Sequence, residues 1–251
     1  MAEEIITPLL EEQEFSINMG PQHPSTHGVL RLMLKLQGEI VKEVRPQLGY
    51  IHRGVEKMTE KITYQQIIHL TDRLDYLSAN IAVENALEVE VPARVKYIRT
   101  IMDELNRIAS HQLWWCAFGM DLGALTTFFY GLRDREKILD IFEETIGARL
   151  LLSYNVPGGL MNDIHPDFQK KTKEFIKYFR KKLPEYDQLL TGNPIMQERT
   201  KGIGYLSKED AVAFGVTGPS GRASGFSCDV RVHQPYSAYP FAKFKEVLYE
   251  E

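Results

Sequence analysis

Cysteine is scarce in this chain: Cys116 and Cys228 are its two thiols in 251 residues. That is too few for a disulfide scaffold, and they lie too far apart for a thiolate metal site, so a reducing compartment is expected. The chain also lacks an apolar run of about eighteen residues, and no charged stretch followed by an apolar core opens it. Neither a transmembrane segment of its own nor a secretory signal is therefore expected, and partners would have to hold it at a membrane. Charge of one sign is not in excess. With 30 basic and 34 acidic residues the net charge is −4, which gives no reason to expect nucleic acid. The basic run at 170–182 reads as one helical face turned to solvent or a protein partner. The glycine-rich stretch at 218–225 reads as a loop, but no Gly-Lys-Ser/Thr follows it. No GxGxxG follows a strand and no CxxC occurs, so the chain alone offers no nicotinamide, flavin or cluster motif.

What is present points to a globular protein. A content of 43% hydrophobic and 25% charged residues suits one large core or two modest domains. Residues 1–14 are acidic and read as a loose segment. Alternation at 15–19, then Leu30, Leu32, Leu34 and Leu36 on one face with Arg31 and Lys35 opposite, predicts strands. Gly38-Glu39 supplies a turn into a third strand, giving a small antiparallel sheet over 15–48. From Gly54 the period changes. Met58, Ile62, Ile67, Leu70, Leu74, Leu77 and Ile81 predict one or two packed helices. Pro92 opens another, with Val95, Ile98, Met102, Leu105, Ile108 and Ala109 on one face. Gly147 reads as the C-cap of the next helix, and Phe168, Phe175, Ile176 and Phe179 mark a third. Ser207 and Asp210 resemble a capping box, and Gly215 closes that short helix. The fold class is thus α+β, mainly α: a small N-terminal sheet followed by a helical body over 49–251.

The stretch MGPQHPSTHGVLR at 19–31 holds His23 and His27, four residues apart. On a helix such a pair could bind zinc, but Pro24 biases His23 away from helical dihedrals, so an irregular loop between the first two strands is expected. A polar hairpin loop and a catalytic loop both remain open. Further polar stretches interrupt the apolar pattern: GYIHRGVEK at 49–57, DRLDYLS at 72–78, Ser110-His111, MDLGALT at 120–126 and GPSGRASG at 218–225. Singly, each fits a buried or capping polar residue.

Taken in order, these stretches closely resemble the D-subunit family of NADH-quinone oxidoreductases, the hydrogenase-like subunit of respiratory complex I. The resemblance implies membership of the nickel-iron hydrogenase large-subunit superfamily, whose first metal motif has the form R-G-x-E, sixteen residues, then R-x-C-G-x-C. Here Arg53 and Glu56 are followed, at that spacing, by Arg73, with Asp75 and Ser78 where the cysteines stand. Nickel needs soft thiolates, and a carboxylate and a hydroxyl cannot replace them. The expectation is therefore no metal in this chain and no hydrogenase activity.

The resemblance further implies that the emptied metal cavity is the headgroup end of a quinone chamber, shared with the neighbouring B subunit of the complex, which holds an iron-sulfur cluster. Tyr76 and His27 match the groups that bind the two quinone carbonyls, and Asp121 matches the partner of that histidine. A phenol and an imidazole can each donate a hydrogen bond and then a proton, and a carboxylate beside the imidazole favours its charged form. Arg53, Glu56, Arg73, Asp75 and His23 are supporting residues, His23 as loop architecture. The implied partners are the B, C, H and I subunits of complex I, with the chain peripheral on the cytoplasmic face of the cell inner membrane and inactive when isolated. Family members continue beyond KFKEVLYEE, so the C-terminal part of the fold is expected to be missing. Many also carry histidine where this chain has Leu151 and Leu152, which favours a low-potential menaquinone as substrate. Two rival readings remain: the equivalent subunit of an F420H2- or ferredoxin-fed complex, and a purely structural scaffold.

Overall fold

The computed structural model describes residues 14–21, 29–71 and 76–249, with the backbone alone for 76–78. His23, His27, Arg73 and Asp75 lie outside the described residues. The chain divides into two units, Met1–Glu60 and Lys61–Glu251.

In the first unit, β1 (Glu14–Met19), β2 (Arg31–Gln37) and β3 (Ile40–Gln47) form an antiparallel sheet in that order. Gly38, at φ 58, takes the left-handed turn between β2 and β3 at no steric cost. Leu34 is buried and pairs with Ile17 and Val44. The expected alternation thus sets the register, because a slip of one residue would turn Leu34 to the other face. A short helix, α1 (Val55–Thr59), follows.

The second unit is helical. Its first helices are α2 (Tyr64–Thr71) and α3 (Tyr76–Ala86), and among the described residues the helical run breaks between α1 and α2. The reason is local: the Thr63 N–H donates to the Gln66 side chain at 3.0 Å, half of a capping box, which starts a new helix at Tyr64. Next come α4 (Ala93–Asp121) and α5 (Leu125–Ile146), an antiparallel hairpin, then a two-strand ribbon, β4 (Asn155–Val156) and β5 (Gly159–Leu160). Helix α6 (Phe168–Tyr186) runs into a π-helical turn at Asp187–Thr191. Four short helices follow: α7 (Pro194–Thr200), α8 (Lys208–Ala213), α9 (Gly218–Ala223) and α10 (Val230–His233). The glycine-rich stretch expected as a loop is therefore largely helix α9; Pro219 at its start has the fixed φ that a first turn needs. Ser207 caps α8 as expected, accepting from the Asp210 N–H at 3.0 Å, and Gly147 closes α5 at φ 85. No described helix is long and apolar enough to cross a membrane.

The core lies where α4, α5 and α6 meet: Ile98, Met102 and Leu105 pack with Ile138, Phe142 and Phe175. Toward the other end of the hairpin the two backbones come closer. A Cβ on Gly131 would stand 2.6 Å from the Cβ of Cys116 and 3.1 Å from the carbonyl of Gln112. Alanine there gains about 1 kcal/mol of helix propensity but overpacks against backbone, a cost of about 1–3 kcal/mol. Gly131→Ala is expected to be net destabilising by up to about 2 kcal/mol, and an unchanged urea midpoint would show that the hairpin can spread.

Candidate functional site

Helix α4 is 29 residues long and ends on Asp121. A Schellman motif closes it: the Gly123 N–H donates to the Met120 carbonyl at 2.9 Å and the Ala124 N–H to the Gly119 carbonyl at 2.8 Å. Gly123 takes φ 89, which is why DLGALT carries glycine there. Thr127 then enters α5 and donates to the Ala124 carbonyl at 2.7 Å. The turn is therefore rigid, and it presents Asp121 at the surface. Among the described residues nothing bonds the Asp121 carboxylate.

Of the other expected site residues, Tyr76 lies in α3, and its side chain lies outside what is described. Arg53 and Glu56 are exposed in the first unit, on either side of Gly54, whose φ of 62 turns the chain into α1. Tyr76 and Asp121 belong to the second unit. Leu151 is exposed, at φ 55, whereas Leu152 is buried in the core beside Tyr154. Neither cysteine is bridged, and Cys116 is buried with its thiol donating to the Leu113 carbonyl at 3.1 Å; burial pushes that thiol's pKa up.

Two other polar stretches meet in space. Ser110-His111 of α4 and Pro219-Ser220 of α9 line a cleft of 790 Å³ whose walls include Trp115 and Tyr186. Burial lowers the pKa of His111, and the Arg107 cation lowers it further, against Glu104. Behind it Arg231 forms a bidentate pair with Asp229, at 3.0 and 2.7 Å, and reaches Glu104 at 3.2 Å; Tyr239 also donates to Glu104. The Arg231 guanidinium holds the Asp229 carboxyl down to about 2. For Glu104, burial pulls the pKa upward, but the Tyr239 hydroxyl and the Arg107 and Arg231 cations outweigh it and hold it low.

Sequence reasoning missed a second polar centre. Arg99 and Glu84 are both buried and bond through two contacts, at 3.0 and 2.7 Å. Arg99 also donates to the Val156 and Gly159 carbonyls, at 2.7 and 2.8 Å, while Glu84 accepts from the Gly158 N–H at 2.7 Å. This pair clamps the β4–β5 ribbon onto α3 and α4. The signal that could have found it is the place of Arg99 next to Ile98 on the apolar side of α4.

A helical body with a small antiparallel sheet, closing α4 on a rigid DLGALT turn, is the architecture of a hydrogenase-like subunit of respiratory complexes. The comparisons agree. An archaeal respiratory membrane complex, the membrane-bound sulfane sulfur reductase, contains a chain 32% identical, with a TM-score of 0.90 over 95% of this chain and 66% of that one. Residues 121–251 match the family described as respiratory-chain NADH dehydrogenase, 49 Kd subunit, and the chain belongs to that family. It is 56% identical to the C/D subunit of NADH-quinone oxidoreductase from Bacteroides thetaiotaomicron over 250 residues, 97% of this chain and 47% of that protein. It is 46% identical to the D subunit of NADH-quinone oxidoreductase from Geobacter metallireducens over 237 residues, 92% of this chain and 61% of that one. The chain thus spans from about half to about six-tenths of the length of these curated relatives.

Proposed function

We propose that the chain works within a proton-pumping NADH:quinone oxidoreductase, where it forms the quinone-reduction site with the B subunit, taking electrons from the iron-sulfur cluster held there. The observation that carries this is the unbonded Asp121 carboxylate, held at the end of α4 by a rigid turn in a chain whose first hydrogenase motif has no cysteine. In this reading His27 and Tyr76 donate hydrogen bonds to the two quinone oxygens and protons as the electrons arrive, and Asp121 steadies the imidazolium of His27. Arg53, Glu56, Arg73, Asp75 and His23 are supporting residues in this reading. The chain holds no resident cofactor, docks with the B, C, H and I subunits on the cytoplasmic face of the inner membrane, and needs them for turnover.

The test is a double-mutant cycle in the assembled complex. His27→Ala is expected to lower quinone-reductase turnover, Asp121→Asn to lower it less, and the pair to lose less than the two effects multiplied. Independent losses would mean that the two residues do not act together.

Menaquinone is the favoured substrate. A histidine near the cluster could take up a proton on reduction and raise the potential, but Leu151 and Leu152 cannot, and an aliphatic wall disfavours the added negative charge. The cluster is expected to show a low midpoint nearly independent of pH. A midpoint that falls steeply with pH in redox titrations would defeat this assignment.

A second reading has one observation in its favour: the archaeal neighbour belongs to a complex named for sulfane sulfur reduction. A chain built for that chemistry would assemble into a complex that reduces sulfane sulfur and leaves quinone untouched, which a substrate comparison decides.

A further inference from the structure

We infer that Arg199 is a positioning residue for Asp121, an assignment that rests on the quinone-site reading. Helix α4 has no basic residue in its last turn, yet it ends on an acid, at the negative end of its dipole. The Schellman bonds satisfy the carbonyls of Gly119 and Met120, but not that of Leu122, the residue after Asp121. The Leu122 carbonyl accepts instead from Arg199 Nη1, at 2.5 Å, across 77 positions of sequence.

The base of that arginine is fixed. Helix α7 starts at Asn193, whose side chain accepts from the Ile195 N–H at 2.9 Å, with Pro194 in its first turn. Gln197 of α7 donates to the Thr191 carbonyl at 3.2 Å, which ties the helix to the π-helical turn. Between α7 and the DLGALT turn lies a small hollow of 210 Å³, lined by Gly123, Ala124, Leu190 and Met196 among others, so close packing does not fill the space between them.

The guanidinium thus does two things at once. Its bond to the backbone fixes the direction in which Asp121 points, and its charge offsets the negative end of α4. It forms no ion pair with Asp121, so the carboxylate stays available to another partner. An arginine salt-bridged to Asp121 would instead have occupied it.

The experiment uses the assembled complex, with turnover expressed per assembled complex. Arg199→Met is expected to lower kcat about three- to tenfold, the scale of one charge-assisted bond, with KM for quinone within about twofold of wild type. Arg199→Lys, which keeps a cation and a donor, should recover most of the loss. In an Asp121→Asn background Arg199→Met should do nothing further. Should Arg199→Met prevent assembly, Arg199→Gln carries the same comparison. Normal kcat for Arg199→Met (or for Arg199→Gln in its place) beside an impaired Asp121→Asn overturns the role of Arg199 and leaves the quinone-site reading standing. Losses that multiply in the double variant also overturn it, because Arg199 would then act through something else. Wild-type turnover for Asp121→Asn removes the quinone-site role of that carboxylate, and the role of Arg199 with it.

Discussion

Arg99→Met is expected to destabilise the fold by about 3–5 kcal/mol, the scale for removing one partner from a buried ion pair. The substitution leaves the Glu84 carboxylate buried with the Gly158 N–H as its remaining bond, and it takes the donor from the Val156 and Gly159 carbonyls. Adding Glu84→Leu should recover part of the loss, since a buried charge no longer stands alone. Recovery should be incomplete, because each orphaned carbonyl still costs about 1–3 kcal/mol. Urea unfolding of the 251-residue chain measures all three variants. If the double variant loses as much as the two single losses together, Arg99 and Glu84 do not act as a pair.

Tyr76→Phe is expected to leave assembly intact and to reduce quinone-reductase turnover about tenfold or more, the scale for losing a positioned proton donor. Phenylalanine keeps the ring and deletes the hydroxyl alone. Structural scaffolding would not notice that change, whereas a group that hydrogen-bonds a quinone oxygen and passes it a proton would. Turnover at the wild-type level in an assembled Tyr76→Phe complex would remove the phenol from the headgroup site. The measurement therefore separates the quinone-site reading from the scaffold reading more sharply than binding studies of the chain alone.

Much of the fold was legible in the residues because its signals are local. Alternation along β2, the proline before α4, the glycine after α5 and the Ser207–Asp210 cap each act within a few positions, where spacing and backbone preference decide. The family, too, could be read from ordered motifs, and DLGALT marked the turn that presents Asp121. The break between α1 and α2 was in principle as legible, since Thr63 and Gln66 stand at capping-box spacing. What periodicity could not give was the meeting of distant groups. The place of Arg99 beside Ile98 on the apolar side of α4 is a local sign of its burial, but nothing local says that Glu84 meets it there, or that Arg199 crosses 77 positions to hold the carbonyl after Asp121. The same holds for Gly131, whose missing side chain matters because Cys116 of another helix lies against it. Sequence by itself determined the elements, the family and the candidate chemistry, since those depend on neighbours along the chain. Tertiary structure alone decided which charge is paired, which carbonyl is capped and which carboxylate is left unbonded, because each depends on side chains brought together through space by the packing of the helices.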